Sequence, residues 1–208
     1  MHAASVHTLF SRLVLVAFLS YSGSLLAKPV YIGGYLGQTN SQDDGFFDQL
    51  SSEPDIDNTT TSYSISAGVM VYEGFSIEFE IGAHKQFLAE SELSFSFEKL
   101  SIENTFARIN LKHDFLISDS FGWYIKESLG VIKAKQSFTN ATGLEEKTVN
   151  DNALFPAFAI GIQKGFTHNF HKFNVYAEWQ YSGYDLESDN ETYHIRHSSL
   201  GVGLQWVF

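Results

Sequence analysis

The stretch "SYSISAGVMVYEGFSIEFEIGA", Ser62–Ala83, decides the fold when it is read two residues at a time. Tyr63, Ile65, Ala67, Val69 and Val71 share one parity, and Ser62, Ser64, Ser66, Gly68 and Met70 the other. Past Glu73-Gly74, which reads as a tight hairpin, Phe75, Ile77, Phe79 and Ile81 oppose Ser76, Glu78, Glu80 and Gly82. A period of two is the signature of a strand with one apolar face. It recurs in "FNVYAEWQY", where Phe173, Val175, Ala177, Trp179 and Tyr181 oppose Asn174, Tyr176, Glu178 and Gln180. It recurs again in "LGVGLQWVF", where Leu200, Val202, Leu204, Trp206 and Phe208 oppose Gly201, Gly203, Gln205 and Val207.

Working outward, eight strands are placed at about 29–39, 62–73, 75–85, 102–115, 121–132, 154–165, 172–182 and 193–208. Long polar connections fall near 40–61, 86–101, 133–153 and 183–192, and short ones at Glu73-Gly74, Ile117–Ser120 and Phe166–His171. Tight turns at one end and long loops at the other are the plan of a barrel that crosses the outer membrane. The expected fold class is therefore all-β, an eight-stranded antiparallel up-and-down transmembrane β-barrel. A soluble barrel with its apolar face inward also alternates. The polar face decides against it, because Ser, Gly, Asn, Gln and Tyr predominate there over the Lys and Glu of a wet surface. Aromatic placement agrees. Phe75, Phe121, Trp123, Trp206 and Phe208 lie near the short turns, and Trp179 and Tyr181 near the long loops, as two membrane interfaces require.

Bulk composition narrows the function. Net charge is −11, which excludes the basic footprint of a nucleic-acid binder. No cysteine is present, so thiolate metal sites and cysteine catalysis are excluded. Residues 1–27 hold Arg12, no acid and the compact apolar run Leu13–Leu19, and they read as a secretory signal peptide preceding a barrel domain at 28–208.

"GVGLQWVF" resembles the terminal signal of bacterial outer-membrane barrels, with Gly203, Trp206 and Phe208 at the characteristic positions. "PVYIGGYLGQTN", "FSIEFEIGAH", "FGWYIKESLGV" and "FAIGIQKGF" followed by "FNVYAEWQYSGYD" resemble strands of the OmpA-like eight-stranded barrel family over roughly 28–208. That resemblance implies export to the outer membrane, contact with its lipid and lipopolysaccharide, and recognition by the barrel-assembly machinery. It implies a structural role in the envelope, with a small gated pore as one form of it. The alternative is an adhesin-like barrel whose acidic loops, with Phe46, Phe47, Phe95 and Phe97, meet an extracellular ligand.

With the apolar parity outward, Glu78, Glu80, Arg108, Lys112, Lys126 and Glu178 collect inside, three acids with three bases. An unpaired charge there costs several kcal/mol, so a paired network closing the lumen is expected. Arg196 and His194 share the lipid-facing parity but lie roughly 30 Å from the short-turn end, above an apolar band ~25 Å tall. Lys164, beside a short turn, can snorkel. Glu127 shares the parity of Trp123 and Leu129 near mid-membrane, where a β-bulge would be needed to turn it inward. His197 and Ser199, two apart on one face, resemble the His-x-Ser pair of a membrane-embedded lipid A deacylase, whose Asn-rich signature is missing. A lipid-modifying enzyme is the remote alternative. No catalytic residue, cofactor or metal is expected. The acidic clusters at Asp43-Asp44, Asp55/Asp57 and Glu145-Glu146 read as a solvated rim.

Overall fold

The computed structural model describes residues 28–44, 55–93, 96–139, 146–168, 171–188 and 191–208. The expected signal peptide, Glu145, and Phe46, Phe47 and Phe95 lie outside the described residues. The elements are β1 (Val30–Asp43), β2 (Asp55–Asp57), β3 (Thr59–Tyr72), β4 (Phe75–Leu93), β5 (Ser96–Ser118), β6 (Phe121–Thr139), β7 (Glu146–His168), β8 (His171–Ser188) and β9 (Glu191–Val207). All pairings are antiparallel.

Among the described residues β2 pairs only with β4, at Asp55↔Glu90 to Asp57↔Leu88, just beyond the β3 ladder. The remaining strands run β4-β3-β1-β9-β8-β7-β6-β5, and β4–β5 pairing closes the ring. The barrel is thus an eight-stranded closed ring in which each strand has a neighbour on both sides, which is how hydrocarbon requires backbone N–H and C=O groups to be satisfied. β9 completes the ring against β1 from Tyr31↔Val207 to Asp43↔Ile195, and the Phe208 amide donates to the Val30 carbonyl at 2.8 Å.

The orientation is apolar side out. Ile65, Phe79, Leu200 and Leu204 are 63%, 51%, 66% and 48% exposed, while Glu80 and Gln205 are 2% exposed. At the short-turn end Gly74 has φ +73°, the left-handed conformation that its turn requires.

Strands reach further than the alternation indicates. β4 runs to Leu93, β5 begins at Ser96, β6 reaches Thr139 and β7 begins at Glu146. The connections expected at 86–101, 133–153 and 183–192 are therefore mostly ladder. The reason is physical. Above the hydrocarbon both faces of a strand meet water, so the apolar-polar signal fades while backbone pairing continues. The extension is lopsided. The 23-residue β5 rises roughly 58 Å at a tilt of ~40°, against roughly 35 Å for the 14-residue β1.

Candidate functional site: the layered barrel interior

The inward side chains form two layers. The lower one is ionic. Arg108 on β5 makes a two-pronged contact with Glu80 on β4, Nε to Oε2 and Nη2 to Oε1, both at 2.9 Å. Its Nη2 also donates to Gln180 Oε1 on β8 at 2.9 Å. Lys126 on β6 lies 2.8 Å from Glu178 Oε2 on β8 and 3.3 Å from Glu78 Oε1 on β4. Asn110 donates to Glu78 at 2.6 Å and to Glu80 at 2.7 Å. Tyr124 donates to Glu178 at 2.7 Å, and Gln180 Nε2 donates to its other oxygen at 2.5 Å. In an eight-membered ring β4 and β8 stand opposite each other, so Lys126 ties the two walls across the full lumen.

Lys112 belongs to a second cluster nearer the short turns. It lies 2.9 Å from Asp114 and donates to Gln163 at 2.8 Å, while Gln163 donates to Asp114 at 2.7 Å. Its ammonium also sits 4.4 Å over the Tyr124 ring. The structure places all six expected charged residues in the interior, each at most 3% exposed. Asp114 is the charged member that sequence reading missed. It shares the inward parity of Arg108 and Lys112, so the signal is present in the sequence.

Above this layer the lumen turns apolar. Leu100, Ile102, Phe106, Ile132, Ala134, Phe155, Tyr184, Leu186, Tyr193 and Ile195 form one buried cluster. The expectation of a polar interior throughout is corrected here. Between the layers His84 and His197 lie ring to ring at 4.7 Å. Asn104 Nδ2 is 3.4 Å from His197 Nε2, and Thr39 Oγ1 is 2.5 Å from Ser199 Oγ. His197 and Ser199 are thus sealed inside the wall, 0% and 3% exposed. Among the described residues no three metal-binding side chains converge.

The remaining expected residues, Gly203 excepted, sit on the outer face. Phe75, Phe121, Trp123, Trp206 and Phe208 ring the short-turn end, with Trp123 stacked on Phe115 at 4.1 Å and Trp206 on Phe173 at 6.2 Å. Trp179 and Tyr181 form part of the upper ring, stacked at 6.3 Å, and the Trp179 indole donates to Ser198 at 2.9 Å. Gly203 faces inward, where the Tyr176 ring lies over it, and Tyr176 donates to the Gly34 carbonyl at 3.2 Å. Lys164 is exposed beside the short turn. Arg196 is exposed outward and lies 3.7 Å from Asp44.

Glu127 faces lipid. β6 keeps register on both sides of it, opposite Leu111 and Phe158, so no bulge turns it inward. It has no ion pair among the described residues. Glu127→Leu is expected to stabilise the refolded barrel by about 1–2 kcal/mol, since acids on the lipid face cost less than the ~2–4 kcal/mol of a midplane base. Urea unfolding in lipid vesicles measures this, and an unchanged midpoint would place Glu127 outside the hydrocarbon.

The family of outer-membrane protein β-barrel domains matches residues 12–208. The chain belongs to this family. Its place is the Gram-negative outer membrane. The attachment invasion locus protein Ail of Yersinia pestis, solved with the heparin analogue sucrose octasulfate, is similar at a TM-score of 0.52 and 14% identity, covering 87% of this chain and 99% of Ail. Neisserial surface protein A is similar at a TM-score of 0.52 and 15% identity, covering 85% of this chain and 95% of that one. At such identities the likeness shows the fold. No curated protein matches the chain.

Proposed function

We propose that this barrel is a non-catalytic structural protein of the outer membrane whose lumen is closed by an ionic layer. One observation carries the reading: Lys126 bridges Glu78 and Glu178 from opposite walls, while Arg108 joins Glu80 to Gln180. An apolar layer above it adds a second seal. In this reading residues 1–27 direct export. Gly203, Trp206 and Phe208 present the closing strand to the barrel-assembly machinery, and lipopolysaccharide surrounds the outer rim.

Planar-bilayer recording tests it. Wild type and Glu178→Ala are both expected to show no steady unit conductance, because Glu78, Glu80, Asn110 and Tyr124 still occupy the cross-section. A higher open probability in Glu178→Ala would replace the sealed barrel with a gated pore.

A second reading has one observation in its favour: β4–β7 project well beyond the hydrocarbon band. A wall that tall offers a surface for an extracellular ligand. Removing residues 86–101 from the protein displayed on cells should abolish attachment if the projection binds, and should leave it intact if the role is structural alone.

A further inference from the structure

The β7–β8 seam is open at its upper end. Paired from His168↔His171 up to Ala157↔Ser182, the two strands share no ladder above that point among the described residues. Neither strand ends there. β7 continues from Pro156 to Glu146 on β6 alone, and β8 continues from Gly183 to Ser188 on β9 alone. The break has a local cause. Pro156 has no N–H to donate, and its ladder with β6 is kept at Leu129↔Pro156. Across the seam the next residue is Gly183, which has no side chain to fill the gap.

A groove of about 740 Å³ lies at this parting, within the ~300–1,000 Å³ range of ligand pockets. Its lining is drawn from both faces of the wall. Leu154, Phe158 and Tyr181 are lipid-facing, 64%, 41% and 45% exposed, whereas Tyr184 and Ile195 belong to the buried apolar cluster. The groove therefore leads from the lipid side toward the apolar layer, where Phe155 is 0% exposed. Arg196 and His194 line it, and twelve residues of tilted strand between Phe208 and Arg196 put Arg196 roughly 30 Å from the short-turn end, just past an apolar band ~25 Å tall. His194 is held by Asp185 at 2.5 Å. Arg196 has Asp44 at 3.7 Å with both side chains about half exposed, a pair too weak to hold the guanidinium from another anion.

We infer that the β7–β8 parting is a lipid-binding slot: it takes one acyl chain of an anionic outer-leaflet lipid between the strands, with the phosphate at Arg196. Three features of the groove support that occupant. Its mouth lies at the upper margin of the hydrocarbon between exposed Leu154, Phe158 and Tyr181, its lining there is apolar, and Arg196 is its one outward strong cation. The slot does not depend on whether the ionic layer below conducts.

Tryptophan quenching by brominated acyl chains tests the inference. In a background with Trp123, Trp179 and Trp206 replaced by Phe, Phe155→Trp reports from inside the wall. Tyr184→Trp is the second reporter should the first fail to show the heat-dependent gel shift of a folded barrel. In vesicles of chain-brominated phosphatidylglycerol, the inner reporter is expected to lose emission nearly as far as a barrel retaining only lipid-facing Trp179. Gly183→Leu fills the mouth. A Cβ there meets the Ile195 carbonyl at 3.2 Å and Arg196 Cγ at 3.9 Å, so the wall accommodates it with a small shift. That variant should restore the emission of either inner reporter. An unquenched inner reporter, or quenching that persists in Gly183→Leu, overturns the slot. Arg196→Gln, or brominated phosphatidylcholine in place of phosphatidylglycerol, should reduce quenching. Equal quenching in both overturns the anionic headgroup.

Discussion

Arg108→Ala is expected to destabilise the refolded barrel by about 3–5 kcal/mol, the cost of removing one partner from a buried ion pair. Arg108 and Glu80 are 3% and 2% exposed, so water cannot replace the lost guanidinium. Two bonds to Glu80 and one to Gln180 vanish together. Glu80 is left as a buried anion held by neutral donors such as Asn110, while Lys126 pairs with Glu78 and Glu178 instead. The double variant Arg108→Met/Glu80→Leu should lose much less than the sum of the single changes, because apolar replacements leave no orphan charge. Urea titration followed by the heat-dependent gel shift measures all of these. A single-variant loss within ~0.5 kcal/mol of wild type, the ordinary size of a surface substitution, would mean that the lumen is hydrated and the pair is not buried.

Gly203→Val should be the other large effect, costing about 3 kcal/mol, at the upper end of overpacking in a tight core. A Cβ on Gly203 would run into the Tyr176 ring and the Gly34 carbonyl. The backbone of β1 blocks one direction and the inward tyrosine the other. The motif is repeated: Tyr124 lies on Gly161, and Tyr31 on Gly68. Each ring needs a bare stretch of neighbouring strand. Tyr176→Ala combined with Gly203→Val should recover part of the loss. Refolding into detergent or lipid without any cellular factor separates packing from recognition. If Gly203→Val refolds with wild-type stability in that assay, the glycine serves the assembly machinery alone.

How much of this was legible follows from where hydrophobicity carries information. Between the girdles each strand has lipid on one side and packed polar groups on the other. The alternation around Phe79/Glu80 and Leu204/Gln205 therefore fixed sidedness, and with it the six interior charges. Above the girdles that contrast disappears, so the upper halves of β4–β7 read as loops in the sequence. The apolar layer went unseen for a related reason. Ile132 and Ala134 share parity with Lys126, but inward apolar residues look like noise when the inside is assumed wet. The register that brings β4 and β8 across from each other, and makes Lys126 a tie rather than one side of a neighbouring pair, is a property of ring closure. No single strand records it.

The tie between opposite walls also bears on the order of assembly and on lifetime. Glu78 and Lys126 are made early in the chain, but the second partner of Lys126, Glu178, arrives only on the penultimate strand, and Tyr176 finds its seat only when the final one docks. Until then the charged side chains of the half-built wall face no opposite wall, and their hydration favours a wet nascent cavity over premature collapse. Afterwards the reverse journey is steep, because prising off the terminal strand exposes the seam at a stroke. Such a molecule ought to be long-lived more because it opens slowly than because its equilibrium stability is large, with pronounced hysteresis between its unfolding and refolding curves in urea.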